Sequence, residues 1–282
     1  MRPDVPLRAV ITSDLDQTLI FSPRATARLG GGLPAGPVDV VEGRVISEMA
    51  VTVAAGLRDL PAGVLFVPVT TRTVAQLCRL RLPVPLRYGV AANGGVVLAD
   101  GQPDLEWQAR RRRTSPDAAP PSVAHRLLAT LAGQPWLLRF ANADDVFSYA
   151  IVDPHLLDDG QFATLAAQCA KIGWRATLQG RKLYLLPPGL DKNAAADYLW
   201  ERLADGEGQR LAAARPLRLA AGDTPFDLEL LRAAEVAWVP AGSRLAASAD
   251  QLPPTARITP LPGHQGAAHI VGEWAACVAG VR

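Results

Sequence analysis

The sequence predicts an α/β protein: a Rossmann-like, mostly parallel three-layer core with an inserted α+β cap. Three observations carry this reading. Short β-branched apolar runs alternate with stretches of helical periodicity in both terminal thirds of the chain. Three of those runs lead directly into Asp14, Thr70 and Gly222-Asp223, and ligands of open α/β sheets bind beyond the carboxyl ends of the strands. Between about residues 100 and 187 the rhythm changes to paired strands with one long helix. The expected division is a core of residues 1–99 and 188–282 around a cap of residues 100–187.

The elements are justified in order. Arg8 to Ser13 is a short apolar run suited to a buried strand. Residues 24–43 are rich in Gly and Pro and read as loop or a flexible hairpin. From Ser47, a plausible N-cap, apolar residues recur at helical spacing through Met49, Val53 and Leu57. Val64 to Val69 is a second buried strand, followed by a helix over about 74–81 and a short strand over 88–92. Residues 101–121 carry Arg110 to Arg113 and a Pro-rich stretch, and read as a linker or mobile helix end. Two strands are expected within 136–153, around Asn142 to Asp145. A helix over about 159–172 and strands over 175–178 and 182–186 follow. The α/β rhythm then resumes: a helix opened by Lys192, a strand over 217–221, a helix over 227–234, a strand over 236–239 and a last helix over 265–278.

Composition bounds the function. The chain has 282 residues, 49% of them hydrophobic and 20% charged, enough for a sizeable core. A formal charge of +2 gives no polyelectrolyte signal for nucleic acid or an anionic membrane. No window approaches a membrane span, and the first residues lack the features of a signal peptide. Cys78, Cys169 and Cys277 lie far apart, so free thiols in a cytoplasmic protein are expected. The four histidines share no ligand spacing. Of 29 basic residues, 26 are Arg and three are Lys, at 171, 182 and 192. Each lysine is therefore informative.

The chemistry-bearing residues gather at expected strand ends. Asp14 and Asp16 form a carboxylate pair spaced i, i+2, which can offer a metal one side chain and one backbone carbonyl. Asp223 and Asp227 add a later acidic pair, and such hard oxygen ligands suit Mg²⁺. Thr70, with the neighbouring Thr71 offering its backbone N–H, and Lys192 are suitable partners for phosphate oxygens. Together these groups describe phosphoryl transfer through a carboxylate nucleophile.

This set, Asp14-Leu15-Asp16-Gln17-Thr18, Thr70, Lys192 and Gly222-Asp223-Thr224-Pro225-Phe226-Asp227, resembles in order the four motifs of the haloacid dehalogenase superfamily. The Asn93-Gly94 step is similar to that of its sugar-phosphatase-like branch, whose members include sucrose-phosphatase-like and mannosyl-phosphoglycerate-phosphatase-like enzymes. In that branch the cap is inserted between the second and third motifs. The stretches SDLDQTLIFS and LQGRKLYLLP further resemble a bacterial subgroup encoded beside tellurium-resistance-type genes.

The resemblance implies a role for each residue. Asp14 is the nucleophile that forms an aspartyl-phosphate, and Asp16 is the general acid and then the base. Thr70, Thr71 and Lys192 bind the phosphoryl group. Asp14, the Asp16 carbonyl and Asp223 form the Mg²⁺ site, with Asp227 as a further ligand or as the residue that orients metal-bound water. Gln17 departs from the glycine of many relatives and is expected to alter the local turn. The expected substrate is a small phosphorylated metabolite, foremost a sugar phosphate, with a nucleotide-like or ribosylated phosphate as the alternative. A phosphomutase and a non-catalytic phosphate-binding module are the other readings. Monomer and homodimer both stay open.

Simpler readings compete at single positions. Gly222-Asp223 alone is most often a turn with Asp as an N-cap. Arg110 to Arg113 fits a solvated face better than a nucleic-acid patch, because only Trp107 is an aromatic neighbour. Arg72 and Asn93 are candidate substrate contacts. So are Arg181 and Lys182, of which strand alternation allows one to face the site.

Overall fold

A computed structural model describes residues 5–29, 32–114, 116–204 and 215–280. The core sheet forms around β1 (Ala9–Ser13), whose five residues AVITS are all buried. Such a strand fits only between two neighbours. It pairs in parallel with β4 (Val64–Pro68) on one side and β12 (Leu217–Ala221) on the other. β13 (Val236–Ala241) and β14 (Ala256–Pro262) extend the sheet, giving the order β14-β13-β12-β1-β4. Ser13 pairs with both Pro68 and Ala221. Three adjacent strands therefore end level, and the residues that follow them emerge side by side.

Of the loop and the flexible hairpin expected over 24–43, the structure builds a hairpin, and it extends into the segment expected to open a helix at Ser47. α1 (Pro23–Leu29) is followed by a hairpin of β2 (Ala35–Val41) and β3 (Arg44–Ala50). Ser47 is thus no N-cap. It lies inside β3, and α2 (Val51–Arg58) begins only after Ala50, without a side-chain cap. The apolar residues at 49, 53 and 57 span a strand end and a helix. Backbone hydrogen bonds between Phe21 and Glu48, 2.8 and 2.9 Å, tie the hairpin to the chain leaving the Asp14–Asp16 turn.

α3 (Val74–Cys78) follows β4, with Thr73 and Gln76 in a reciprocal capping box. β5 (Tyr88–Ala91) joins β4 by a bridge between Val69 and Val90, and makes a small antiparallel sheet with β6 (Val96–Ala99) and β7 (Gln102–Pro103). The expected linker at 101–121 contains α4 (Leu105–Arg113), capped by Asp104. Trp107 of α4 is buried, and its indole N–H donates to the Gly94 carbonyl at 2.9 Å. Arg110, Arg112 and Arg113 are exposed, as a solvated face requires.

Next come α5 (Pro121–Thr130), β8 (Leu137–Ala143), β9 (Phe147–Val152), α6 (Asp159–Lys171), β10 (Arg175–Gln179) and β11 (Lys182–Leu186). The four strands form an antiparallel sheet in the order β10-β11-β9-β8. This is the inserted cap region, and its helices α5 and α6 cover one face. α7 (Lys192–Ala204) returns the chain to the core. α8 (Leu228–Arg232) and α9 (Gly263–Gly280) complete it, with Trp274 of α9 fully buried.

β14 escaped the sequence reading. It is an edge strand with one buried residue in seven and two prolines, so no apolar run marks it. Among the described residues, no helix is long and apolar enough to cross a membrane.

Candidate active site at the strand ends

β1 delivers Asp14, held in place by its backbone N–H donating to Ala221 at 2.9 Å. β12 delivers Gly222 and Asp223, and the following turn brings Asp227 back beneath them. A Cβ on Gly222 would lie 2.3 Å from the Asp227 Cβ, so only glycine permits this approach. Asp227 Oδ2 accepts from the backbone N–H groups of Asp223 and Thr224 and from the Thr224 hydroxyl, at 2.9–3.2 Å. Carboxylate oxygens of Asp14, Asp223 and Asp227 lie within 4.8 Å of one another, and all three residues are buried.

Lys192 reaches this cluster from the first turn of α7. Asp191 caps that helix, its Oδ1 accepting from the N–H groups of Asn193 and Ala194. The Lys192 ammonium is 2% exposed and donates to Asp14 at 2.6 Å and Asp227 at 2.7 Å. Burial opposes its charge, but the two carboxylates outweigh burial and hold it protonated.

One ammonium cannot balance three carboxylates. Burial, and then the charges of Asp227 and Asp16, push Asp14 up to about 7 against the pull of Lys192. Asp223 is raised well above the ordinary carboxylate value by burial and by the other two aspartates. The group thus carries two uncompensated negative charges when fully ionised. A hard divalent cation such as Mg²⁺ fits that deficit and that all-oxygen donor set. With no Cys or His in the group, a soft metal is a poor match.

Asp16 faces the other way. Arg72 donates to both its oxygens, at 2.7 and 2.8 Å. Enclosure by the protein raises this carboxyl. The Arg72 hydrogen bonds and charge, with the charges of Lys182 and Lys192, outweigh that and hold it below the usual carboxylate range. Arg72 also donates to Asp39 at 2.6 Å and Ser47 at 2.9 Å, and Arg79 to Asp39 at 2.7 Å. Asp39 and Ser47 were invisible as site residues in the sequence, because a hairpin between two motifs carries no motif of its own; Arg79, at the end of α3, was equally unmarked.

The turn at Gln17 is left-handed, with φ of 64°. Glycine adopts that conformation freely and Gln does so at a cost. Here Arg28 donates to the Gln17 side-chain oxygen at 2.7 Å, which anchors the residue.

A cavity of about 420 Å³ opens above these groups. Asp14, Asp16, Thr71, Lys182, Lys192 and Asp223 all line it, and Arg181 does too. Arg181 and Lys182 share the cavity because Arg181 sits in the turn before β11, outside the strand alternation that would separate them. Tyr184 adds a phenol wall to the same cavity. A second cavity, of about 560 Å³, adjoins the first and has Arg72 in its wall. Thr70, Asn93 and Asp227 lie beneath the two cavities, not among the residues lining them. The Thr70 hydroxyl accepts from the Arg72 N–H at 3.1 Å, and the Thr70 carbonyl from the Asn93 N–H at 3.0 Å.

No protein-family model matches the sequence, and no curated protein matches it significantly. Solved structures do match in fold. A sucrose-phosphatase from Synechocystis in complex with sucrose and phosphate superposes with a TM-score of 0.63 at 16% identity, covering 97% of this chain and 98% of that one. A haloacid dehalogenase-like hydrolase from Bacteroides thetaiotaomicron gives 0.57 at 14% identity, with 95% and 99% covered. A trehalose-6-phosphate phosphatase related protein gives 0.56 at 13%, with 96% and 99% covered. Over nearly its whole length, and with a buried aspartate triad at its strand ends, this chain has a haloacid dehalogenase-like hydrolase fold.

Proposed function

We propose that this chain is a Mg²⁺-dependent phosphomonoester hydrolase acting through an aspartyl-phosphate on a small phosphorylated metabolite, foremost a sugar phosphate. The observation that carries the proposal is the buried Asp14–Asp223–Asp227 group with Lys192 bridging two of its members. It forms the floor of a cavity large enough for a small metabolite. The sucrose and phosphate bound by the Synechocystis sucrose-phosphatase support this substrate class. Free Cys78, Cys169 and Cys277 suit a reducing cytoplasm.

The residues divide the work. Asp14, Asp223 and the Asp16 carbonyl, with Asp227 beside them, would hold Mg²⁺, which when bound would supply positive charge to the phosphoryl oxygens and keep Asp14 ionised. Lys192, with the Thr70–Thr71 segment, orients the phosphoryl group. An Asp14 oxygen attacks phosphorus, the bond from phosphorus to the leaving oxygen breaks, and Asp16 gives that oxygen a proton. Asp16 then takes a proton from water. The resulting hydroxide attacks the aspartyl-phosphate, which releases inorganic phosphate and restores the Asp14 carboxylate. The unit that selects the leaving group is the inserted cap within residues 100–187, with Arg181 and Lys182 at its contact edge.

A panel of phosphorylated metabolites with Mg²⁺, read as inorganic phosphate release and run beside Asp14→Asn, tests the reading. Release that the variant abolishes supports it. No release across sugar, nucleotide and ribosylated phosphates sinks it. Isomerised product without phosphate release would make the chain a phosphomutase.

A further inference from the structure

We infer that the leaving group of the substrate carries a second anionic group, a carboxylate or a phosphate, bound in the second cavity by Arg24, Arg28, Arg139 and Lys182. The inference rests on the phosphomonoesterase reading and narrows its substrate class.

The cavity lies where a leaving group must go. In an in-line displacement the leaving oxygen departs opposite the attacking Asp14, toward the group that protonates it. Asp16 lines both cavities, together with Gln17, Arg28, Thr71, Lys182 and Tyr184. The two spaces are therefore continuous around Asp16. The first contains the candidate phosphoryl floor, and the second, about 560 Å³, begins on the far side of the acid.

Its charge is unbalanced. Six cationic residues line it, Arg24, Arg28, Arg72, Arg79, Arg139 and Lys182, against two anionic ones, Asp16 and Asp39. Both carboxylates are already engaged by Arg72 and Arg79, at 2.6–2.7 Å. Among the described residues, Arg24, Arg28, Arg139 and Lys182 make no salt bridge at all. Arg28 holds only the neutral Gln17 side chain. Four unmatched cations around one concave space attract an anion, and charge-assisted hydrogen bonds from guanidinium groups hold it firmly.

The four come from two sides. Arg24 and Arg28 are one turn apart on α1, so they share a face. Arg139 of β8 and Lys182 of β11 are each in register with Ile151 of β9 between them. They stand on the same face of the cap sheet, about 10 Å apart across two strand spacings. The next row on that face pairs Tyr149 with Tyr184, which gives the carbon skeleton an apolar wall. A neutral sugar would bring none of the four a counter-charge. A leaving group with its own carboxylate or phosphate would satisfy them from core and cap together.

Binding to the full-length Asp14→Asn protein, measured by calorimetry with Mg²⁺, tests this. Two matched pairs serve as probes: 3-phosphoglycerate against glycerol 3-phosphate, and fructose 1,6-bisphosphate against fructose 6-phosphate. At least one doubly anionic member should bind 10-fold or more tightly than its partner. The pair that discriminates tells a carboxylate site from a phosphate site. Arg24→Gln with Arg139→Gln should collapse the preference, and Arg113→Gln on the distant α4 surface should keep it. Equal affinities within both pairs, or a preference that survives the double substitution, would overturn the inference. Phosphate release by the unsubstituted protein is scored separately. Preference without release leaves the second-anion site standing and removes the hydrolase reading; release without preference does the reverse.

Discussion

Arg72 grips Asp16 by both carboxylate oxygens and, with the same guanidinium, holds Asp39 and Ser47 of the β2–β3 hairpin. The candidate acid/base is therefore coupled to an element that contributes nothing else to the strand-end cluster. In this grip Asp16 is a carboxylate, the form that takes a proton from water. To protonate a leaving group it must first gain a proton against the Arg72 charge. In the proposed reaction the pairing would favour the second half over the first.

Replacing Arg72 tests that coupling. In Arg72→Gln the bidentate cation is gone, so the Asp16 carboxyl should titrate at higher pH than in the parent. Each limb of the kcat–pH profile governed by Asp16 should move upward, measured on a phosphomonoester with an alkyl leaving group. An unshifted profile would remove Asp16 from the proton transfers. The same change leaves the buried Asp39 with only Arg79, and urea unfolding should show a loss of about 2 kcal/mol.

Metal-free stability should fall as pH rises. Asp14 is raised from 3.8 to about 7 and Asp223 is raised well above 3.8. Between those values the folded protein keeps protons that the unfolded chain has released. Stability is then lost with increasing pH, by at most about 1.4 kcal/mol per pH unit for each carboxylate. Thermal unfolding in EDTA from pH 5 to 8 should show this decline. Mg²⁺ should reverse it by supplying the missing positive charge, and Asp223→Asn should flatten both the decline and the Mg²⁺ response. A flat metal-free profile would contradict the cluster's electrostatics.

Much of this arrangement was legible in the sequence, for an identifiable reason. Buried parallel strands read as continuous β-branched runs, so β1, β4 and β12 and the residues that follow them stand out. Asp14, Asp223 and Lys192 are legible because each follows an element boundary. Less was legible where periodicity is shared between elements. Met49, Val53 and Leu57 mimic one helix but straddle β3 and α2. β14 lacked an apolar run because it lies at an exposed edge. The Asp39–Arg72–Arg79 network joins residues 33 to 40 positions apart, through a hairpin whose register no local pattern announces. The basic cavity draws on α1, β8 and β11, and only the tertiary structure brings those segments together.

The nucleophile assignment predicts a severe loss. Asp14→Asn keeps the shape and a hydrogen-bond partner for Lys192 but cannot attack phosphorus. Turnover should fall at least roughly a thousandfold with circular dichroism unchanged. A radiolabelled phosphoryl substrate should leave a hydroxylamine-sensitive phosphoprotein in the parent and none in the variant. Label retained by the variant would place the nucleophile elsewhere.

Gly94 should prove as important as a catalytic side chain although it carries none. Its φ is 95°, and a Cβ there would lie 2.0 Å from the Asp191 carbonyl oxygen and 3.0 Å from the Lys192 nitrogen. The turn cannot back away freely, because its own carbonyl is held by Trp107 from the other side. Any side chain at this position must therefore push on the first turn of α7. That turn carries Lys192, whose two hydrogen bonds set the spacing of Asp14 and Asp227. Gly94→Ala should cost about 1–3 kcal/mol from overpacking, together with an activity loss of tenfold or more and weaker Mg²⁺ binding. Gly95→Ala is the comparison. Its Cβ would meet the Val146 side chain at 2.3 Å, a similar crowding directed at the cap region and away from Lys192. At matched stability loss, Gly94→Ala should be the variant that loses Mg²⁺ affinity. If the two variants lose it equally, Gly94 does not act through Lys192.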